Sequence, residues 1–120
     1  MSSDAREAAA AYYAAAGRDP AADMLALGRN PQGLIFCSPQ LVALLKPARS
    51  GEPARWGMLD DCPAGADAWY VHLLVGDLRA ARCMARALPP YPWLCFHRGC
   101  RNERPHRLPW ARLLLPPAVL

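Results

Sequence analysis

The stretch from Trp69 to Arg98 constrains this chain more than any other. "WYVHLLVG" (69 to 76) is aromatic and β-branched and reads as a strand largely buried on both faces. Asp77 then stands where a helix cap belongs, and the helix it opens runs to about Leu88. At 100° per residue, Leu78, Ala81, Met84, Ala85 and Leu88 share one apolar stripe, while Arg79, Arg82 and Arg86 occupy another face. "PPYP" stops the helix, and "WLCFHR" (93 to 98) is a second strand. Strand, crossover helix and strand make a βαβ unit, so the two strands are expected side by side and parallel.

The flanking sequence decides what surrounds that unit. Asp4 with Glu7 has capping-box spacing and Gly17 suits a C′ position, which predicts a helix over 5–16. Asp19-Pro20 opens a shorter helix that stops at Gly28. "LIFC" (34 to 37) is a short apolar run. Ser38-Pro39 repeats the cap-then-proline signal and predicts a helix over "PQLVALLK", ending before Pro47. Trp56 to Leu59 reads as a further short strand, and "HRLPWARLLL" as a returning edge strand that tolerates Pro109. With 120 residues, 53% hydrophobic and 20% charged, the chain is expected to form one globular domain spanning 1–120. The fold class is α+β, with a helical part (1–50) followed by a small mixed sheet (56–115).

Five cysteines are an odd number, and "MSSDAREAAAAYYAAAG" lacks the basic start and long apolar core of a secretory leader. The expectation is a cytoplasmic protein with free thiols and no membrane span. Lys46 is the one lysine among 14 basic residues, a bias that reflects a GC-rich genome rather than phosphate binding. Charges cancel over residues 1–97. The net +4 arises from Arg98, Arg101, Arg104, Arg107 and Arg112 against Glu103.

The order "WYVHLLVGDL", helix, "PWLCFHR", basic turn, "RLPWARLL" resembles the C-terminal half of small GNAT-like proteins, the acetyltransferase fold, of phages and prophages. The resemblance covers roughly residues 69–115. It implies an α/β fold of phage type and, in active members, acetyl-CoA held at a glycine-rich R/Q-x-x-G-x-G/A turn. Here that turn is "VGDLRAAR", with one glycine and with Asp77 where the pyrophosphate would approach. The activity is therefore not carried over, and the sequence leans away from an enzyme.

"CFHRGCRNERPH" (95 to 106) concentrates the residues that invite a function. Cys95, Cys100, His106 and His97, with Cys62 or Cys83 in reserve, are the candidate zinc ligands. No C-x2–4-C knuckle supports them, and a buried strand cysteine beside a polar turn is the plainer reading. Arg98, Arg101, Arg104 and Arg107, beside Phe96, His97 and Trp110, have the makings of a nucleic-acid contact, though a solvated basic hairpin looks the same. Cys83 beside the arginine face of its helix is a candidate reactive thiol without a partner base. His72 reads as a satisfied buried histidine, and Asp60-Asp61 as turn formers rather than an acid/base pair. P-loop, dinucleotide, zincin and nucleophile-elbow motifs are missing. The preferred expectation is a non-enzymatic protein-interaction module, a virion-associated accessory or an inhibitor of a host system. Arg98, Arg101, Arg104, Arg107 and Trp110, with Tyr12, Tyr13 and Trp56, are its interface candidates, and another protein of host or phage is its partner. No cofactor is committed to, acetyl-CoA and zinc being the alternatives.

Overall fold

A computed structural model of the chain describes residues 4–98 and 104–114. Two helices come first, α1 (Ala5–Ala16) and α2 (Pro20–Gly28), then strands β1 (Leu34–Cys37), β2 (Leu41–Ala48) and β3 (Ala68–Gly76). Helix α3 (Leu78–Ala87), strands β4 (Trp93–Arg98) and β5 (Arg104–Pro109), and the short α4 (Ala111–Leu114) complete the order. The strands form one five-stranded sheet in the order β1-β2-β3-β4-β5. All pairs are antiparallel except β3 with β4, so the expected parallel βαβ unit is present and the fold is α+β.

The three longer helices form where local capping chemistry says they should. Asp4, Asp19 and Asp77 each accept a hydrogen bond from the backbone two residues on, satisfying amide donors that a first turn leaves open. Gly17, at φ 64°, closes α1 in the left-handed conformation that costs glycine least. Of the α3 stripe, Ala81, Met84 and Ala85 are buried, whereas Leu78 in the first turn is half exposed.

Three expected elements are corrected. "PQLVALLK" is not a helix: Leu41–Ala48 is strand β2, buried along its whole length between β1 and β3. The apolar run Leu41–Leu45 carries no period of its own, and neighbours on both sides turned it into the sheet interior. Ser38 caps no helix there; its hydroxyl accepts from the Leu41 amide and closes the β1–β2 hairpin. The sheet thus begins at Leu34, well inside the part expected to be helical. Trp56 to Leu59 is not a strand but follows a single 3-10 turn at Pro53–Arg55. The returning strand β5 ends at Pro109, and Trp110 turns the chain into α4 instead of continuing along the edge.

Each sheet face carries its own core. Val42, Leu44, Tyr70, Leu73 and Cys95 pack under α1 and α2. Leu41, Ala43, Leu45, Trp69 and Trp110 meet Met84 and its neighbours on α3. One irregularity interrupts this alternation. Leu44 pairs with Leu73 but Leu45 pairs with Val71, so His72 is one residue too many in β3. Such a bulge puts two successive side chains, His72 and Leu73, on the α1/α2 face.

Candidate functional site

The bulge keeps His72 on the Tyr70 face and brings Leu73 onto it beside the histidine. His72 Nε2 lies 2.9 Å from Asp23 Oδ2 on α2, and that oxygen also accepts from the Tyr13 hydroxyl of α1 at 2.8 Å. The Arg18 guanidinium stands 3.6 Å away. On the other side of the His72 ring, Nδ1 is 3.4 Å from the Tyr70 hydroxyl, which in turn lies 3.0 Å from His97 Nδ1 on β4. Asp23, His72, Tyr70 and His97 therefore form one hydrogen-bonded row crossing from α2 over β3 to β4.

The electrostatics follow from burial and from these partners. Burial alone would raise the Asp23 carboxyl, but hydrogen bonds from His72 and Tyr13 and the nearby positive charge outweigh it and hold the group below the usual carboxylate range. Burial pushes the Tyr70 phenol up to about 12 and raises the Tyr13 phenol further. Burial, then the neighbouring His72, holds His97 below the ordinary histidine value, so its ring is neutral at neutral pH.

A cavity of about 400 Å³ adjoins the row. The parallel strands pair only over Ala68–Tyr70 and Trp93–Cys95 and then diverge, and the opening between them is the cavity. Val71, Leu94 and Phe96 give it apolar walls, Tyr12 and Leu113 approach from the two faces of the sheet, and His72 and His97 supply the polar groups. A mostly apolar cleft of this size with a few convergent polar atoms is the usual form of a small-molecule site.

Lys46 supports the wall behind it. Its side chain is 1% exposed, and Nζ donates to the carbonyls of Arg55, Met58 and Asp61. Asn30 Nδ2 donates to Leu59 and Asp61 carbonyls of the same loop. The loop so held lays Trp56 against Tyr70 and His97, with ring centroids 5.8 and 5.3 Å apart.

Of the residues expected to be functional from sequence, few converge. Trp110 is 3% exposed, Trp56 2% and Tyr13 4%, so these three are core residues rather than interface anchors; each fills a sheet face. Tyr12 is exposed as expected. Arg98 and Arg104 sit opposite each other across β4–β5 and are exposed, while the Arg107 guanidinium lies 4.4 Å over the Trp93 ring. Arg101 and Cys100 lie outside the described residues. The candidate zinc ligands divide: Cys95 and His97 face α1 and α2, whereas His106, paired with Phe96, stacks on that ring on the opposite face. Burial also raises the Cys95 thiol to about 12, which disfavours the thiolate a metal needs. Among the described residues, no three His, Cys, Asp or Glu side chains are placed to share a metal ion. Cys62 and Cys83 are exposed, whereas Cys95 is buried.

The turn that would grip acetyl-CoA does not fit it. The Asp77 carboxylate already accepts from the Arg79 amide at the α3 N-terminus, putting negative charge where a pyrophosphate would lie. Gly76 is spent on the sheet: at φ 135°, a side chain there would collide with the Gln40 carbonyl.

His72 is the satisfied histidine its sequence context predicts, bonded to Asp23, whereas Asp23 and Tyr70 carry no functional expectation from sequence. The alternation of β3 does put Tyr70 and His72 on one face, and that of β4 does the same for Cys95 and His97. Asp23 carries no local signal, since it meets His72 across 49 residues of chain. No family model matches the sequence, and neither a curated protein nor a solved structure matches it significantly. Among the described residues, no helix is long and apolar enough to cross a membrane.

Proposed function

We propose that this chain binds a small apolar molecule carrying an amine, hydroxyl or thiol in the cleft between β3 and β4, with His97 as its general base. The observation behind the reading is that His97 lines the cavity while its Nδ1 is engaged by Tyr70. That leaves Nε2 for a ligand, on a ring that burial keeps neutral. Proton removal from a protic group is the step that precedes transfer to it. The test uses benzylamine and acetyl-CoA as probes. Millimolar benzylamine is expected to move the His97 ring resonances, and Leu94→Trp, which fills the cleft, to abolish the change. Resonances that do not move overturn the reading. Stabilisation by acetyl-CoA in a thermal-shift titration would make the acyl donor a second ligand.

A second reading keeps the chain as a phage-type protein-interaction module that meets an acidic partner through Arg98, Arg104 and Arg107. The exposed cross-strand pair of arginines supports it. Recovery of a stoichiometric partner at low salt, lost with Arg98→Ala plus Arg104→Ala, is its expected result. Retention of binding by that variant rules it out, and binding of nucleic acid instead would appear in a salt series with DNA and RNA.

A further inference from the structure

The row of hydrogen bonds behind His97 has a direction. Asp23 is ionised and can only accept, so His72 donates to it from Nε2. A neutral His72 then has an acceptor at Nδ1. The Tyr70 hydroxyl has one proton to give and faces two ring nitrogens, His72 Nδ1 and His97 Nδ1. Both contacts are satisfied together only if Tyr70 donates to one ring and accepts from the other. With His72 neutral, the arrangement is His97 Nδ1–H to Tyr70, Tyr70 O–H to His72 Nδ1, and His72 Nε2–H to Asp23.

We infer that Asp23, His72, Tyr70 and His97 are a proton relay, in which a proton accepted at His97 Nε2 leaves its positive charge on His72 beside Asp23. The inference takes its proton donor from the proposed ligand but stands on the row itself, which also takes protons from solvent. In the forward step the ligand's X–H bond breaks, its electron pair stays on X, and an N–H bond forms at His97 Nε2. The His97 Nδ1–H proton passes to the Tyr70 oxygen, and the former Tyr70 proton passes to His72 Nδ1. At the end His97 and Tyr70 are neutral, His72 is an imidazolium 2.9 Å from a carboxylate, both hydrogen bonds of the Tyr70 hydroxyl have reversed, and His72 Nε2 still donates to Asp23.

The geometry favours this end point over a charge held at His97. His72 has the carboxylate; His97 has Tyr70 and the face of Trp56. The titratable or charged groups around the row are Tyr12 and Tyr13 of α1, Arg18 after it, Asp23 of α2, and Lys46 of β2 on the same sheet face as Tyr70. Lys46 is committed to the loop carbonyls, and Arg18 is already offset by Asp23.

The relay makes a claim about tautomers that needs no ligand. Nitrogen-15 NMR of histidine-labelled protein at neutral pH is expected to show His97 protonated at Nδ1, the rarer neutral tautomer, and His72 protonated at Nε2. Tyr70→Phe cuts the row, so His97 should switch to the Nε2–H tautomer. Asp23→Asn removes the anionic acceptor, so the tautomers of both rings should lose their fixed direction. His97 found as Nε2–H in the wild type overturns the relay, and this measurement holds even if Tyr70→Phe does not fold. The expected tautomers with no benzylamine response would leave the relay standing and remove the ligand reading.

Discussion

Lys46 carries a charge into the sheet and spends it on three carbonyl oxygens of one loop. Burial pulls its pKa down against the opposing pull of Asp61, as expected of an ammonium whose water has been replaced by peptide dipoles. Lys46→Met keeps the length of the side chain but orphans those carbonyls. The expected loss is about 3 kcal/mol of stability, read from urea denaturation midpoints. Trp110 and Arg104 give the contrasting pair. Trp110→Ala should cost about 3–5 kcal/mol because it empties a packed site, whereas exposed Arg104→Ala should stay within about 0.5 kcal/mol. The relay residues add a pH dependence. His97 is held below its ordinary value of 6.5, so as pH falls through that value the unfolded chain takes up a proton that the folded chain refuses. Asp23, also depressed, acts with the same sign lower down: its contribution is present above the unfolded value and is lost as pH falls through the folded one. Denaturation midpoints should therefore drop steadily from neutral pH into acid. At the alkaline end the sign reverses. Tyr70, raised from 10.0 to about 12, should be missing from the 295 nm tyrosinate signal until the pH nears that value.

At the scale of elements, what could be read from sequence was whatever is decided within a turn of chain. The three aspartate caps and the Gly17 stop are local, and the helices they bound appear where expected. β2 was illegible because its cap-like Ser38-Pro39 and its apolar run suit a helix as well as a buried strand, and only pairing with β1 and β3 decides. The site was illegible for a related reason. Tyr70 and His72 share a face by alternation, but the meeting of His72 with Asp23 depends on how α2 crosses the sheet. Gly76 is the element-scale position most open to test. Gly76→Ala would force a side chain against the β2 backbone, and the variant should lose cooperative thermal unfolding or unfold at a markedly lower temperature.

The described residues form two cores, one on each sheet face, and the parallel pair β3–β4 separates them where it is paired and joins them where it opens. Cys95 occupies the last paired position of β4, opposite Tyr70 where the strands begin to open, and is fully buried with its thiol raised to about 12. Its alkylation should therefore proceed only through global opening, while Cys37, Cys62 and Cys83 react in the native state. Peptide mapping after timed alkylation distinguishes them. Fast labelling of Cys95 would mean that the two cores separate without unfolding. Among the described residues, the basic side chains that follow residue 97 lie on two strands and one short helix, Arg98, Arg104 and Arg107 on β4–β5 and Arg112 on α4.

The extra residue in β3 has an implication for how this chain arose and how it can be edited. Removing His72 alone would leave Tyr70, Leu73 and Val75 on one face and Trp69, Val71 and Leu74 on the other, an uninterrupted alternation against β2. A chain one residue shorter would thus be the simpler protein, with a straighter strand and no row to Asp23. If the deletion variant melts at or above the temperature of the full chain, the bulge is an insertion that folding does not require, held in place by what the cleft does.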